Sequence, residues 1–229
     1  MNWKSAEQVA ESYAQSMGAE LGAVFHALST ELTWVHWRWQ QYRILFGDKE
    51  SRLDMLNDAA PFFFRVVQDV FFDDTLLGIA RLAGPPQTIG KQNLAITRLP
   101  LLIKDSLLQA EVTDLVLSAK ATADFAFDWR NRHIAHRDLS LALSQKVKPL
   151  KAASRQHVEG ALKALRAVMN RVEAAYCDAT TAYESSPTVE DAESLLYVIR
   201  DGLRMEQARR ERWDHGELHD DDVNPPEPV

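Results

Sequence analysis

With a single cysteine, Cys177, the chain cannot close an internal disulfide, which argues against a small secreted scaffold held by crosslinks. Glycine and proline are scarce as well, nine of each in 229 residues, too little turn punctuation for an all-β sandwich or barrel. No run approaches the roughly 18 uninterrupted apolar residues of a membrane-spanning helix. The amino-terminal MNWKSAEQVAESYAQ has no apolar core of signal-peptide length, so a cytoplasmic location without a membrane partner is expected. Positive charge is in the minority, 26 Lys and Arg against 33 Asp and Glu, for a net charge of −7. A broad basic face gripping long nucleic acid by counterion release is therefore not expected, and any nucleic-acid contact would be local. Missing too are a phosphate-cradling glycine loop, a GxSxG elbow and an HExxH pair. Cys177 has no histidine near it in sequence and reads as a small core residue rather than a nucleophile.

What is present is helical periodicity, in a chain whose 46% hydrophobic and 26% charged residues are those of an ordinary globular protein. Ser5 and Gln8 have capping-box spacing. Tyr13, Met17, Leu21, Val24, Leu28, Leu32, Val35, Trp39 and Tyr42 then follow in steps of three and four, one apolar stripe that ends at Phe46-Gly47. Gly18 and Gly22 are the places where this long helix bends or splits. A second helical region covers residues 51–82, with a fresh start at Ala60-Pro61 and with Phe63, Val67, Val70 and Leu77 on one face. Gly84 to Gly90 is the clearest loop. A short helix over 94–99 leads to a long one from Pro100, whose stripe is Leu108, Val112, Leu115, Ala119, Thr122, Ala126 and Trp129, continued by His133 and His136. The chain turns near Lys148-Pro149. Val158, Leu162, Leu165, Met169, Val172 and Tyr176 repeat with the spacing of antiparallel bundle packing. Ser186-Pro187-Thr188 breaks that helix, and Thr188 with Asp191 caps a last one, to about Trp213. The expectation is an all-α, up-and-down bundle of about five to six helices, one domain over 1–214. An acidic, proline-rich tail over 215–229 is expected to be disordered. No internal repeat and no strand alternation is visible.

Chemistry concentrates in Asp128-Trp129-Arg130-Asn131-Arg132-His133-Ile134-Ala135-His136-Arg137-Asp138, three arginines and two histidines in eleven residues of an acidic protein. The guanidinium fork suits phosphate oxygens, and histidine exchanges protons near neutrality. Metal-free RNA cleavage needs both: help for the attacking ribose 2′-hydroxyl, and neutralisation of charge building on the phosphate. Arg130, Asn131 and, after five intervening residues, His136 resemble the arginine–polar…histidine motif of HEPN domains. LNDAAPFFFRVVQDVFFDDTLLGIARLAG followed by NLAITRL is similar to the helical body of the abortive-infection U-type branch of that superfamily. Together these cover most of residues 40–145. Ala83-Gly84 stand where members of that branch often carry an acid.

The resemblance implies a helical domain that dimerises with its motifs facing a shared cleft, an RNA substrate, no cofactor and no metal, and a partner such as an antitoxin. It implies His136 as the proton-transfer residue, Arg130 as the phosphate stabiliser, and Asn131 as an orienting group. Arg132, His133 and Arg137 are the substrate-side candidates. Arg137 with Asp138 reads otherwise as a solvated pair at a helix end. On a straight helix Arg130 and His136 lie roughly 9 Å apart along the axis and about 120° apart in angle. Three arrangements remain open: a disturbed helix, an Arg130 that reaches round, or a pair completed across a dimer. Arg132, at i and i+4 with His136, is a second candidate for the phosphate contact. The rival readings are a non-catalytic HEPN module that binds a nucleotide or protein, a core or interface role for His136, and a metal site begun by His133 and His136. Trp34, Trp37 and Trp39 with His36, Arg38 and Arg43 form an aromatic and basic cluster, read as packing more simply than as base stacking.

Overall fold

Ser5 opens the first helix as its spacing predicts. Its hydroxyl accepts from Gln8 N, and Gln8 Oε1 accepts from Ser5 N at 2.8 Å. The helix, α1 (Ala6–Met17), stops at Gly18, which takes φ +85, a left-handed value that favours glycine. The chain restarts as α2 (Ala19–Phe46), so the long stripe is split at the first of its two glycines. Gly22 serves the crossing of these helices. A Cβ there would lie 2.5 Å from the Tyr13 carbonyl oxygen, so only glycine permits the approach.

A computed structural model of the chain describes residues 5–47, 49–145, 147–185, 191–217 and 219–223. The chain forms two compact units, Met1–Gln40 with Phe71–Ser186, and Gln41–Val70 with Pro187–Val229. After α2 come α3 (Glu50–Ala59), α4 (Pro61–Leu82), a two-residue hairpin of β1 (Gln87–Thr88) and β2 (Lys91–Gln92), and α5 (Leu99–Leu102). Then follow α6 (Ser106–Thr122), α7 (Asp124–Trp129), a π-helical turn over Arg130–Ile134, α8 (Leu139–Ala142), α9 (Arg155–Cys177), α10 (Asp191–His215) and α11 (Asp220–Val223).

The all-α expectation holds, but five to six helices is too few. Among the described residues seven helices have ten residues or more, and short ones join them. The excess comes from breaks at Gly18, at Ala60-Pro61, at residues 103–105, and at Ala123, whose φ −86, ψ 0 ends α6 with neither glycine nor proline. The loop at 84–90 carries an antiparallel ladder, Gln87 opposite Gln92 and Thr88 opposite Lys91. Its turn residues, Ile89 and Gly90, both have positive φ, the twist that two-residue hairpins need.

The first unit packs α6 along α9, with α1 also against α9. Phe25, Leu28, Leu32, Val35, Leu76, Ile79, Val112, Leu162, Leu165 and Met169 are buried in it. Gly78 lets α4 close on α2, since a Cβ there would meet Val35 at 2.5 Å. The face read on α4 is not the buried one: Phe63 is 60% and Val70 58% exposed, while Phe64, Leu76 and Ile79 are buried. The tryptophan cluster mostly packs. Trp39 and His36 are buried, Arg38 pairs with Asp74 at 2.7 Å, and the exposed Trp34 sits edge-on to Trp37.

In the second unit α3 packs on α10. Its Arg212 forks onto Asp222 with bonds of 2.8 and 2.6 Å, which holds that carboxyl far below the usual range. The break expected at Ser186-Pro187-Thr188, the Thr188 cap and tail residues 224–229 lie outside the described residues. Among the described residues no helix is long and apolar enough to cross a membrane.

After α9 the chain returns over the first unit through polar bonds. Thr181 Oγ1 and Tyr13 Oη donate to the buried Glu173 at 2.8 and 2.7 Å, and Tyr183 Oη donates to Ser29 Oγ at 3.1 Å. His36 stacks on Tyr183 at 6.1 Å, and its buried Nε2 has no hydrogen-bond partner among the described residues. Burial, helped by the Arg166 charge, lowers its imidazole from 6.5 to about 4. The unfolded chain therefore takes up a proton that the folded one refuses. The stabilisation is complete above about pH 6.5 and is lost as pH falls towards 4, by about 1–3 kcal/mol. Urea unfolding at pH 7 and pH 4.5 should show a smaller acid loss in His36→Phe than in the unaltered protein. Equal losses in the two proteins would contradict this.

Candidate functional site

The motif begins as an ordinary helix and ends as something else. α7 gives way at Arg130 to a π-helical turn in which Ala135 N donates to Arg130 O at 2.9 Å, a five-residue step. Asp138 N then reaches back to Arg132 O at 3.0 Å, and the Asp138 carboxylate caps α8 through Ser140 N and Leu141 N. π turns are rare and recur at functional sites. The disturbed helix, one of the three arrangements left open by spacing, is the one the backbone adopts. His136 lies beyond the last helical residue and is exposed. It therefore does not continue the apolar stripe, and the core reading of this histidine falls away.

A scaffold from outside the motif holds the turn. Asp128 Oδ2 accepts from Lys151 N at 2.8 Å, and Trp129 Nε1 donates to Lys151 O at 2.8 Å. The Trp129 ring also sits edge-on to Phe72 at 5.7 Å and to His133 at 5.3 Å. Arg132 completes the frame: Nη2 donates to Lys148 O at 2.6 Å, Nη1 to Asp128 Oδ1 at 3.4 Å, and Nε lies 3.6 Å from Asp138 Oδ2. Asp138 is thus a cap and an ion-pair partner rather than half of a solvated pair with Arg137.

The remaining candidates contrast with Arg132. Among the described residues the side chains of Arg130, Asn131, His136 and Arg137 have no hydrogen-bond or ion-pair partner, and the last three are exposed. Arg130 and His133 are half-buried. The turn therefore offers a guanidinium, an amide and an imidazole with donors uncommitted to the fold. No group of three His, Cys, Asp or Glu side chains among the described residues is arranged to hold a metal ion. Sequence reasoning missed Lys148 and Lys151. They sit on irregular chain, outside any periodic stripe, and act through backbone atoms that carry no sequence signal.

Arg132→Ala should leave Asp128 and the Lys148 carbonyl short of a partner, at a cost of about 1–3 kcal/mol. Chemical denaturation should read that loss, and an unchanged midpoint would mean the fork does not hold the frame.

The model of one protein family, HEPN-type AbiU2, matches residues 18–195. No curated protein and no solved structure gives a significant match. The match spans α2 to the start of α10 and encloses both the motif and the frame around it. The chain belongs to the AbiU2 family of HEPN domains.

Proposed function

We propose that the protein is a metal-independent endoribonuclease acting in phage defence or as a toxin, with its site completed at a cleft between two copies of the chain. One observation carries this reading. Within a segment whose Asp128, Arg132 and Asp138 are spent on holding the frame, Arg130, Asn131 and His136 are left uncommitted among the described residues. These are the three residues that the motif resemblance selects, and the family match adds to them.

In this reaction His136 removes the proton from a ribose 2′-hydroxyl. The oxygen attacks the adjacent phosphorus, the bond to the 5′-oxygen breaks as that oxygen takes a proton from water, and His136 releases the proton it removed to solvent. The products are a 2′,3′-cyclic phosphate and a 5′-hydroxyl. Arg130 faces the charge that grows on the phosphate oxygens. Asn131 orients the phosphate or His136, and His133 and Arg137 contact flanking nucleotides. An antitoxin or other partner would hold the activity in check.

Purified protein should cleave RNA in the presence of EDTA. His136→Ala and Arg130→Ala, still folded, should each lose about a hundredfold or more in rate, the scale of a positioned acid–base or charge-stabilising group. Cleavage by His136→Ala at the rate of the unaltered protein would overturn the proposal. Absence of cleavage by every form, alone or with cell extract, would favour a binding module instead.

A further inference from the structure

A concave site lies in the first unit, beside the motif and separate from Arg130 and His136. The end of α6, the start of α7 and the first turns of α9 surround an open cavity of about 630 Å³, a size typical of small-ligand sites. One wall is aromatic: the Phe125 and His157 rings lie 5.7 Å apart, tilted by 39°. His157 Nδ1 accepts from Ser154 N at 3.3 Å in the α9 capping box, which leaves Nε2 as its N–H donor. On the rim the Asp124 carboxylate and the Lys151 ammonium form an ion pair, with side chains 60% and 38% exposed. Gln156 adds an amide, and Gly160 leaves its stretch of wall empty, since a Cβ there would meet nothing within 4 Å.

An aromatic wall with a carboxylate beside an ammonium selects a particular ligand chemistry. The carboxylate repels anions, so a bare phosphate is a poor occupant. It prefers two adjacent N–H donors that both its oxygens can accept. The ammonium beside it calls for an acceptor next to those donors. Among the four RNA bases only guanine presents this row, with N1–H and the N2 amino group flanking each other and O6 adjoining. Adenine, cytosine and uracil each offer a single donor position on that edge.

The cavity is also tied to the motif. Lys151, whose ammonium is on the rim, is the residue whose backbone Asp128 and Trp129 hold. Phe125 precedes Arg130 by five residues, roughly 7.5 Å of helix, a span comparable with one nucleotide step. We propose that this cavity binds a guanine base, with Asp124 accepting from N1–H and N2–H, Lys151 donating to O6, and the Phe125–His157 wall supporting the ring. The proposal stands whether or not Arg130 and His136 cleave RNA.

The guanine can arrive on a free nucleotide or within an RNA chain, and the test separates the two sources. Full-length protein is titrated with each of the four nucleoside monophosphates. It is also titrated with 2′-O-methyl uridine hexamers carrying one guanine or none, which attack by the 2′-oxygen cannot cleave. At least one source should show a guanine preference of about tenfold or more. Preference among the monophosphates points to a free nucleotide, and preference confined to the hexamers points to RNA; either supports the pocket. Gly160→Leu fills the cavity while replacing a poor helix former with a good one. It should abolish the preference without lowering the melting temperature. Asp124→Asn, which keeps the shape, should reduce it by about tenfold. Equal affinity for all four bases in both sources, or a guanine preference that survives Gly160→Leu, would overturn the proposal.

Discussion

Everything placed at the candidate site depends on how the backbone of Lys151 is held. Its N–H is bound by the Asp128 carboxylate and its carbonyl by the Trp129 indole. Among the described residues between α8 and α9 no helix or strand forms, so these two bonds and the Arg132 bond to Lys148 O give the chain there a defined course. The partners come from consecutive turns of one helix, which fixes that helix in return. Charge-assisted bonds in half-buried surroundings are worth more than exposed ones, and here several share the same few residues. Past Trp129 the helix no longer needs α-helical register. It widens into a π turn and ends.

This arrangement divides the labour among residues of similar chemistry. Three arginines occur within eight positions, yet Arg132 is taken up by the frame while Arg130 and Arg137 have no partner among the described residues. The same division separates the histidines, with His133 against Trp129 and His136 exposed beyond the turn. A residue that stabilises a fold and a residue that meets a ligand compete for the same donors, and the π turn lets adjacent positions do one each. The neighbouring cavity shares the frame through Lys151, so its ligand and the motif would respond to the same loop.

Much of the helical architecture was legible in the sequence because its signals are local. The Ser5–Gln8 box, the restart at Pro61 and the α9 stripe all depend on residues within a few positions of one another, and Gly18 was among the foreseen break points. Local signals fail where tertiary contact decides. Ala123 ends α6 although alanine favours helix, and the face read on α4 turns Phe63 and Val70 outward. The motif was found from residue types at fixed spacing. Its π geometry was only one of three arrangements that the spacing allowed, because a bond from Ala135 N to Arg130 O leaves no mark in composition. The part played by Lys151 lies in backbone atoms some twenty residues away, beyond any periodicity.

Hydrogen exchange of the Ala135 amide tests most directly whether this frame holds the turn. That N–H makes the five-residue bond to Arg130 O. Asp128→Ala removes the carboxylate that grips both Lys151 N and Arg132. The Ala135 amide should be protected in the unaltered protein and exchange at least about tenfold faster in Asp128→Ala, with amides in the middle of α9 unchanged. An Ala135 amide that is unprotected to begin with, or that exchanges equally slowly in both proteins, would contradict it.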